Sequence, residues 1–319
     1  MLILAPMQGL TELLFRKVYN RCYPNAFDLS ISPFLSLTHG NLKDAWKKVE
    51  DVIPELNKGS LPVIPQLLGH EVEGFIELSN RLFDLGYVEV NWNMGCPMRR
   101  VAGKHRGSGI LPYPNEVRTI LDAVVPAMKP SLSVKMRLGY RSTDEIDNII
   151  PILNDYPLKS VIVHPRIGKQ MYAGTPDLDR FELILPLIKH TVIYNGDVNS
   201  VYDYKKIRNR FPSVKDIMIG RGALYNPLLP IMIKRECPND FNDAVRLSNM
   251  TPMSAGEFIV ELTKEITRLD VSNQAKTRKI KEYWCLLSKS QHGNEDYKRR
   301  LLHLDDLDAM MNLILEMTK

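Results

Sequence analysis

The sequence predicts an α/β fold in which a (β/α)8 barrel, or TIM barrel, is followed by a small all-helical C-terminal domain. Three observations support it: short apolar or β-branched runs alternate with helical patterns, eight such runs occur, and the last part of the chain shows helical patterns alone. Alternation of strands and helices implies parallel pairing, because each parallel connection needs a long crossover. Eight such units are the number that closes a (β/α)8 barrel.

The predicted strands are short runs, most of them followed by glycine or proline. They are Leu2–Met7, Phe27–Phe34, Val63–Gly69, Val88–Asn93, Leu132–Gly139, Ser160–Arg166, Thr191–Asp197 and Asp216–Gly222. Amphipathic patterns such as Glu71–Leu85, Asn115–Met128 and Ser200–Arg210 predict helices between them. A doubly wound open sheet is the alternative, and the lack of a GxGxxG after the first strand argues against it.

The C-terminal part differs from the rest, and we predict a boundary between residues 1–240 and residues 241–319. Helical patterns cover Ala255–Leu269, Ala275–Leu287 and Leu304–Met317. Between residues 264 and 300, ten basic residues stand against five acidic ones. The basic residues are Lys264, Arg268, Lys276, Arg278, Lys279, Lys281, Lys289, Lys298, Arg299 and Arg300. Such a cluster is either a solvated helix face or a surface that contacts phosphates, and the adjacent Tyr283 and Trp284 are either core residues or base-stacking ones.

Composition limits the functional classes. The chain has 319 residues, a net charge of +5 and a pI near 8.9, which suits nucleic acid or phosphorylated ligands without requiring them. Its cysteines (Cys22, Cys96, Cys237 and Cys285) are far apart, which favours neither a zinc site nor a disulfide framework and suggests a reducing cytoplasm. We expect no metal, no signal peptide, no membrane segment and a monomer.

Polar side chains follow six of the predicted strands, at the end where such barrels place their active sites. They are Gln66; Asn93 and Cys96; Lys135 and Arg137; His164 and Arg166; Asn195, Gly196 and Asp197; and Gly220, Arg221 and Gly222. Buried polar groups are costly without partners, so their convergence on one rim predicts a single polar ligand. The glycines and Arg221 after the last two strands suit a phosphate, which is often held there. No GxSxG elbow indicates a serine hydrolase.

Taken in order, these motifs resemble the tRNA-dihydrouridine synthases, flavin-dependent barrels that reduce uridine in tRNA. The resemblance runs from the first strand to residue 223 and is weaker beyond it. The motifs that carry it are APM (5–7), PQLLG (65–69), NWNMGCP (91–97) with GSGIL (107–111), VKMRLG (134–139), VHPR (163–166), NGD (195–197) and IGRGA (219–223). The short start and FDLSISPF are most similar to the bacterial C-type branch.

The resemblance implies FMN at the barrel mouth and NADPH as the reductant of the flavin. It implies that the cofactor is bound by Pro6, Met7, Gln66, Lys135, His164, Asn195, Gly196, Asp197, Gly220 and Arg221. Hydride would reach C6 of the uracil ring, and Cys96 would protonate C5 as a general acid. Asn93, Arg99, Arg100 and Arg166 would contact the substrate, and the helical domain would bind tRNA.

The sequence departs from the family pattern at three positions. Pro165 and Ile167 stand in VHPRI where many relatives have HGRT, and Pro33 stands where relatives often place a glutamate. These changes remove a backbone donor and a hydroxyl, and put substrate contacts in doubt. Two alternative functions stay open: an FMN barrel that acts on a free small molecule, and a non-catalytic tRNA-binding protein.

Overall fold

The computed structural model describes residues 1–37, 46, 48–237, 252–287 and 295–317. In these residues the chain forms one sheet of short parallel strands. The strands are β1 (Leu2–Leu4), β2 (Leu29–Ile31), β3 (Leu35–Ser36), β4 (Val63–Ile64), β5 (Gln66–Leu68), β6 (Glu89–Met94), β7 (Ser131–Gly139), β8 (Ser160–Ile167), β9 (Thr191–Tyr194) and β10 (Asp216–Ile219). Their order is β3-β5-β6-β7-β8-β9-β10-β1-β2-β4.

The sheet closes because four of these strands are halves of two interrupted ones. Pro33 lies between β2 and β3, and Pro65 lies between β4 and β5. β2 pairs with β4 and β3 pairs with β5, so the two ends of the strand order lie side by side. The TIM barrel is thereby confirmed. The second and third strands are split rather than continuous because proline has no N–H for the ladder.

The helices lie outside the barrel and in the C-terminal part. They are α1 (Leu13–Cys22), α2 (Val72–Asp84), α3 (Arg99–Ala102), α4 (Pro114–Val124), α5 (Ile146–Leu153), α6 (Leu178–Ile184), α7 (Val201–Arg210), α8 (Arg221–Tyr225), α9 (Leu229–Glu236), α10 (Ala255–Thr267), α11 (Asn273–Leu287), α12 (Glu295–His303) and α13 (Leu307–Met317). The predicted boundary at residue 240 and Lys289 lie outside the described residues.

Several strands end earlier than the sequence predicts. β1 stops at Leu4, β9 at Tyr194 and β10 at Ile219, so the APM and NGD motifs lie in loops after their strands and GRG begins α8. Pro165 remains inside β8, where the β7–β8 register shifts between Arg137 and Gly139. Proline cannot donate to the ladder, so a local irregularity at this point is expected.

Side chains on alternate positions of the strands point into the barrel, and they divide its interior into two halves. The apolar half consists of Ile3, Ala5, Ile31, Ile162, Ile193 and Met218, which form one buried cluster. The polar half consists of Gln66 on β5, Asn91 and Asn93 on β6, and Ser133 on β7, all of them buried. Leu67, Val90, Trp92 and Val134, on the opposite faces, pack with the helices.

The C-terminal helices share a core with the barrel. The Phe258 ring on α10 lies 5.8 Å from the ring of Phe15 and 5.7 Å from that of Tyr19, both on α1. Tyr283 stacks on Phe15 at 5.9 Å and donates to the Leu10 carbonyl. Tyr283 and Trp284 are both 2% exposed, so they are core residues and cannot stack on bases. Within the described residues, no helix has the length and hydropathy to span a bilayer.

Candidate active site

A cavity opens at the carboxyl ends of the strands, and most of the predicted cofactor residues line it. They are Pro6, Met7, Lys135, His164, Asn195, Gly196, Asp197, Gly220 and Arg221. Strand alternation explains this: Met7, His164, Asn195 and Gly220 each follow an apolar interior residue by two positions. Gln66 is the exception among the predicted set, because it is fully buried in the polar half.

Two glycines shape the wall of this cavity. A Cβ at Gly196 would lie 2.0 Å from the Tyr194 hydroxyl, and one at Gly222 would lie 2.0 Å from the Val198 carbonyl oxygen. Both distances are far inside van der Waals contact, so neither position accepts a side chain. The Asn195 amide donates to the Met218 carbonyl at 3.0 Å and ties the NGD turn to β10. The turns after β9 and β10 are therefore held close together around the cavity.

Asp197 joins two arginines at the cavity. Its carboxylate accepts two hydrogen bonds of 2.7 Å from Arg166 and one of 2.8 Å from Arg221. Burial alone would raise the pKa of Asp197, but the two guanidinium groups outweigh it and the pKa lies below its usual value. The carboxylate thus stays ionised and fixes Arg221, which is only partly exposed at the cavity wall.

Arg166 is 1% exposed, and other groups of the protein occupy all of its N–H donors. Besides Asp197 it donates to the carbonyls of Ala173 (3.3 Å) and Gly174 (2.7 Å) and to His164 Nε2 (3.1 Å). No donor is left for a substrate, so the predicted substrate contact of Arg166 finds no support in its hydrogen bonds. Arg166 instead positions Asp197, His164 and the loop after β8.

His164 is neutral in this arrangement. A guanidinium group can only donate, so His164 Nε2 must accept from Arg166 and the ring proton must lie on Nδ1. Burial lowers the pKa of His164 far below its usual value, and the cations Arg137, Lys135, Arg166 and Arg221 lower it further. His164 can therefore offer an N–H donor to a ligand but not a positive charge.

Lys135 is a cavity residue whose charge depends on a ligand. Burial, and then the neighbouring Arg137 cation, lower its pKa to about 7. An anionic group in the cavity would offset both effects and keep the ammonium charged. Lys135 and Arg221, together with the tight glycine walls, fit a phosphate-bearing ligand such as FMN.

Cys96 lies in a turn just beyond β6, and hydrogen bonds to Asn93 and Ser108 fix its backbone. Its backbone N–H and that of Gly95 donate to Asn93 Oδ1 at 2.9 and 3.0 Å. Its carbonyl accepts from the backbone N–H and the hydroxyl of Ser108, both at 3.0 Å. Gly107 has a φ of 55°, and a Cβ there would lie 2.8 Å from Cys96 Cβ. The GSGIL motif therefore forms the support on which the cysteine rests.

The side chain of Cys96 keeps its proton near neutral pH. Burial raises its pKa above the ordinary value. The Met98 backbone N–H and the cations Arg137, Lys135 and Arg100 oppose this shift without cancelling it. The site thus holds a partly exposed thiol that keeps its proton near neutral pH, as a proton donor needs.

The remaining predicted residues differ in how freely they can reach a substrate. Asn93 is 7% exposed. Its oxygen accepts the two N–H groups of the Cys96 turn, and its nitrogen donates one hydrogen bond to Gln66 at 2.8 Å. One amide N–H of Asn93 is therefore left for a substrate base. Arg99 and Arg100 begin α3 on the protein surface, and neither forms an ion pair with a described residue. Both arginines are therefore free to meet phosphates.

Sequence reasoning missed Val198 and Asn199, which line this cavity, and it also missed Tyr172. Its ring lies under the guanidinium groups of Arg221 (4.6 Å) and Arg137 (5.4 Å), and it lines the same cavity as Lys135. Arg137 also holds the tyrosine's loop by donating to the carbonyls of Ile167 (2.9 Å) and Met171 (2.6 Å). The only signal in the sequence is an aromatic residue in the loop after a predicted active-site strand.

Solved structures show the same fold. An old yellow enzyme homologue from Zymomonas mobilis superimposes with a TM-score of 0.53 at 11% identity, covering 76% of this chain and 91% of that one. Morphinone reductase gives a TM-score of 0.51 at 12% identity, covering 76% and 88%. With the cationic cavity at the strand ends and the relatives described next, the molecule is an oxidoreductase of the flavin-dependent barrel class.

The family follows from sequence comparison. The model of the dihydrouridine synthase family matches residues 3–316, so the chain belongs to that family. A tRNA-dihydrouridine(16) synthase of Haemophilus ducreyi is 30% identical over 73% of this chain and 73% of its own length. Another of that name, from Neisseria meningitidis serogroup B, is 25% identical over 99% of this chain and 94% of its own. Within the described residues, no three His, Cys, Asp or Glu side chains converge as a metal site would require.

Proposed function

We propose that the protein reduces the C5–C6 double bond of a uridine in tRNA, with FMN in the cavity, NADPH as the reductant and Cys96 as the proton donor. The observation that carries this proposal is a thiol held by hydrogen bonds in the turn after β6, the strand that pairs with β7, and β7 carries the cavity residue Lys135. Burial raises the pKa of this thiol. A hydrolase would need an activated nucleophile, whereas this thiol is arranged to keep its proton.

The cavity residues divide the binding of FMN among them. Arg221, Gly196 and Gly220 suit the phosphate, and Asp197 acts indirectly by orienting Arg221. Lys135 suits the polar edge of the ring system, and Pro6 and Met7 its apolar side. Gln66, which has no exposed surface, lies behind this wall and finds no support as a direct contact. When bound, FMN supplies hydride chemistry, with its electrons taken from NADPH.

Cys96 completes the reduction with a proton. Hydride addition at C6 of uracil leaves negative charge on C5 and O4, and the thiol S–H bond breaks as the new C5–H bond forms. The thiolate then regains a proton from water, which the partial exposure of Cys96 allows. Asn93 keeps the Cys96 turn in place, and its remaining amide N–H suits an oxygen of the base. The target uridine must leave its stack to enter, at a cost of a few kcal/mol.

The surface around the Cys96 turn suits the tRNA backbone. Exposed cations that form no ion pair with a described residue follow β6, β7 and β8; they are Arg99, Arg100, Lys104, Arg141 and Lys169. In the C-terminal helices many of the predicted cations are paired instead, as Lys279 is with Glu12 (2.6 Å) and Lys281 with Asp305 (2.8 Å). We therefore assign the first phosphate contacts to the barrel rim. Lys276 and Arg278 on α11, which form no ion pair with any residue that the structure describes, are further contacts.

Purified protein tests the proposal against its alternatives. Flavin absorbance after addition of FMN, and NADPH oxidation that depends on uridine-containing tRNA, are the expected results. A preparation that never binds flavin would leave only a non-catalytic tRNA-binding role. Equal turnover with free uridine would favour a small-molecule reductase. Mapping dihydrouridine in tRNA from cells with and without the protein identifies which uridine is reduced. Position 16 is the first to examine, because the name of the relative that aligns over 99% of this chain specifies it.

A further inference from the structure

The polar half of the barrel contains a continuous chain of hydrogen bonds that ends at Cys96. The Cys96 N–H donates to Asn93 Oδ1 at 2.9 Å, and Asn93 Nδ2 donates to Gln66 Oε1 at 2.8 Å. Gln66 Nε2 donates to Asn91 Oδ1 at 2.8 Å, and Asn91 Nδ2 donates to Ser133 Oγ at 2.9 Å. Of these side chains, Gln66, Asn91 and Ser133 have no exposed surface.

The Cys96 end of this series of hydrogen bonds fixes which way each amide in it is oriented. The two backbone N–H groups of the Cys96 turn can only donate, so the Asn93 atom that meets them is the oxygen. Its nitrogen then faces Gln66 and must meet the oxygen of that amide, and the same reasoning orients Asn91. A reversed amide at any point would set donor against donor among buried side chains, at a large energetic cost.

The lower end of the chain is anchored away from the cofactor cavity. The Ser133 hydroxyl lies 3.4 Å from the Val90 carbonyl and also forms a hydrogen bond with the Glu89 carboxyl. Burial raises the pKa of Glu89, and the hydrogen bond from Ser133 reduces this rise without cancelling it. Neither Asn91 nor Ser133 lines the cavity. Both nevertheless help to hold the Gln66 amide in the orientation that Asn93 sets, since Gln66 Nε2 donates to the Asn91 oxygen.

We infer that Asn91 and Ser133 are positioning residues for the reaction: they complete the hydrogen bonds of the Gln66 amide and, through Gln66 and Asn93, hold the turn that carries Cys96. Without the Asn91 acceptor, the Gln66 amide keeps only its bond to Asn93 and is a less firmly held partner for it. The inference rests on the proposed function only for its effect on turnover, because the rigidity of the Cys96 turn can be measured without cofactor or tRNA.

Three variants of the full chain separate orientation from packing. Asn91→Leu keeps the approximate size of the side chain and removes both hydrogen-bonding atoms. Asn91→Asp keeps an acceptor for Gln66 in either protonation state: a neutral carboxyl also donates to Ser133, and an ionised one accepts from the serine hydroxyl. Ser133→Ala removes only the anchor of Asn91, and provides a milder route should the buried leucine unfold the barrel.

The first measurement is the alkylation rate of Cys96 in the cofactor-free protein, followed on the Cys96 peptide by mass spectrometry so that other cysteines do not interfere. We expect Asn91→Leu to raise this rate at least about threefold, Ser133→Ala to raise it less, and Asn91→Asp to leave it within about twofold of the parent protein. Ile162→Val, in the apolar half, is the control and should change nothing. Equal rates for the leucine and aspartate variants, or no change in either, would overturn the inference.

The second measurement uses the FMN-loaded protein. The dissociation constant of FMN should stay within about twofold in Asn91→Leu, because neither Asn91 nor Gln66 lines the cavity. The kcat for tRNA should fall about tenfold, the effect of losing one oriented hydrogen bond in a buried site, while the KM changes by less than about twofold. If the parent protein shows no tRNA-dependent turnover, the proposed function fails, whereas the alkylation result still decides the positioning role. A raised KM with unchanged kcat would contradict it.

Discussion

The two halves of the barrel interior are equally buried and serve different purposes. The apolar half, from Ile3 to Met218, packs without hydrogen bonds and tolerates many arrangements of similar volume. The polar half carries amides whose donors and acceptors match one by one from Ser133 to the Cys96 turn. The comparison suggests that the apolar half contributes mainly to stability and the polar half mainly to the orientation of the Cys96 turn. Substitutions in the two halves should therefore have separable effects.

The largest expected effect on stability comes from the apolar half. Met218 is 0% exposed in the centre of that cluster, so Met218→Ala removes buried methylene groups and leaves a cavity. We expect the free energy of unfolding to fall by about 2–4 kcal/mol in denaturant titrations. Folded Met218→Ala should keep the alkylation rate of Cys96 within about twofold. A large rise in that rate would show that the two halves are not separable.

The pH dependence of FMN affinity tests the charge at the polar side of the cavity. Lys135 has a pKa of about 7 in the free protein, so it loses its proton as the pH rises through 7 and must regain one to pair with an anion. The phosphate, whose second pKa is about 6, is roughly nine-tenths doubly ionised at pH 7 and adds little further change above it. The dissociation constant should therefore rise up to about tenfold per pH unit above pH 7. Lys135→Met should remove this pH dependence of the FMN dissociation constant. If the dissociation constant of the variant still rises with pH, another group causes the dependence.

The smallest effect concerns the surface, where neither half of the interior is involved. Replacing Arg99 and Arg100 by alanine should reduce the slope of log K against log salt for tRNA by about 0.7–0.9 for each lost phosphate contact. Arg118→Ala is the matched control, because Arg118 is paired with Asp155 at 2.8 Å. An unchanged slope in the double variant would place the tRNA contacts on the C-terminal helices instead.

Those helices are poorly suited to a deletion experiment. Phe258 covers Phe15 and Tyr19 on α1 and Tyr23 directly after it, with ring centroids 5.4–5.8 Å apart. Removal of residues after about 240 would expose this aromatic face, and the barrel would lose part of its core along with any tRNA contacts. Point substitutions of surface cations therefore test tRNA binding better than truncation does.

The sequence predicts the cavity well because strand alternation places its residues. His164, Asn195 and Gly220 are recognisable as polar or glycine positions that follow an apolar strand, and they do line one cavity. It predicts the internal partners poorly. Asn91 and Ser133 lie inside strands, where nothing local shows that their side chains meet, and Arg166 appears free until Asp197 is brought next to it.

Charge counts are misleading for the same reason. Lys279 and Lys281 contribute to a basic cluster in the sequence, but their carboxylate partners Glu12 and Asp305 are distant in the chain. The splits at Pro33 and Pro65 were visible as prolines, yet only the pairing of β2 with β4 and of β3 with β5 shows that the barrel keeps its closure around them.

The central claim is that Cys96 supplies a proton rather than structure, and a single-turnover reaction tests it most directly. Protein with pre-reduced FMN is mixed with uridine-containing tRNA, and the return of oxidised flavin absorbance is followed for the parent protein and for Cys96→Ala. We expect the variant to bind FMN normally and to react about 100-fold or more slowly, the contribution of a general acid. An unchanged rate, with flavin and tRNA still bound, would contradict the account.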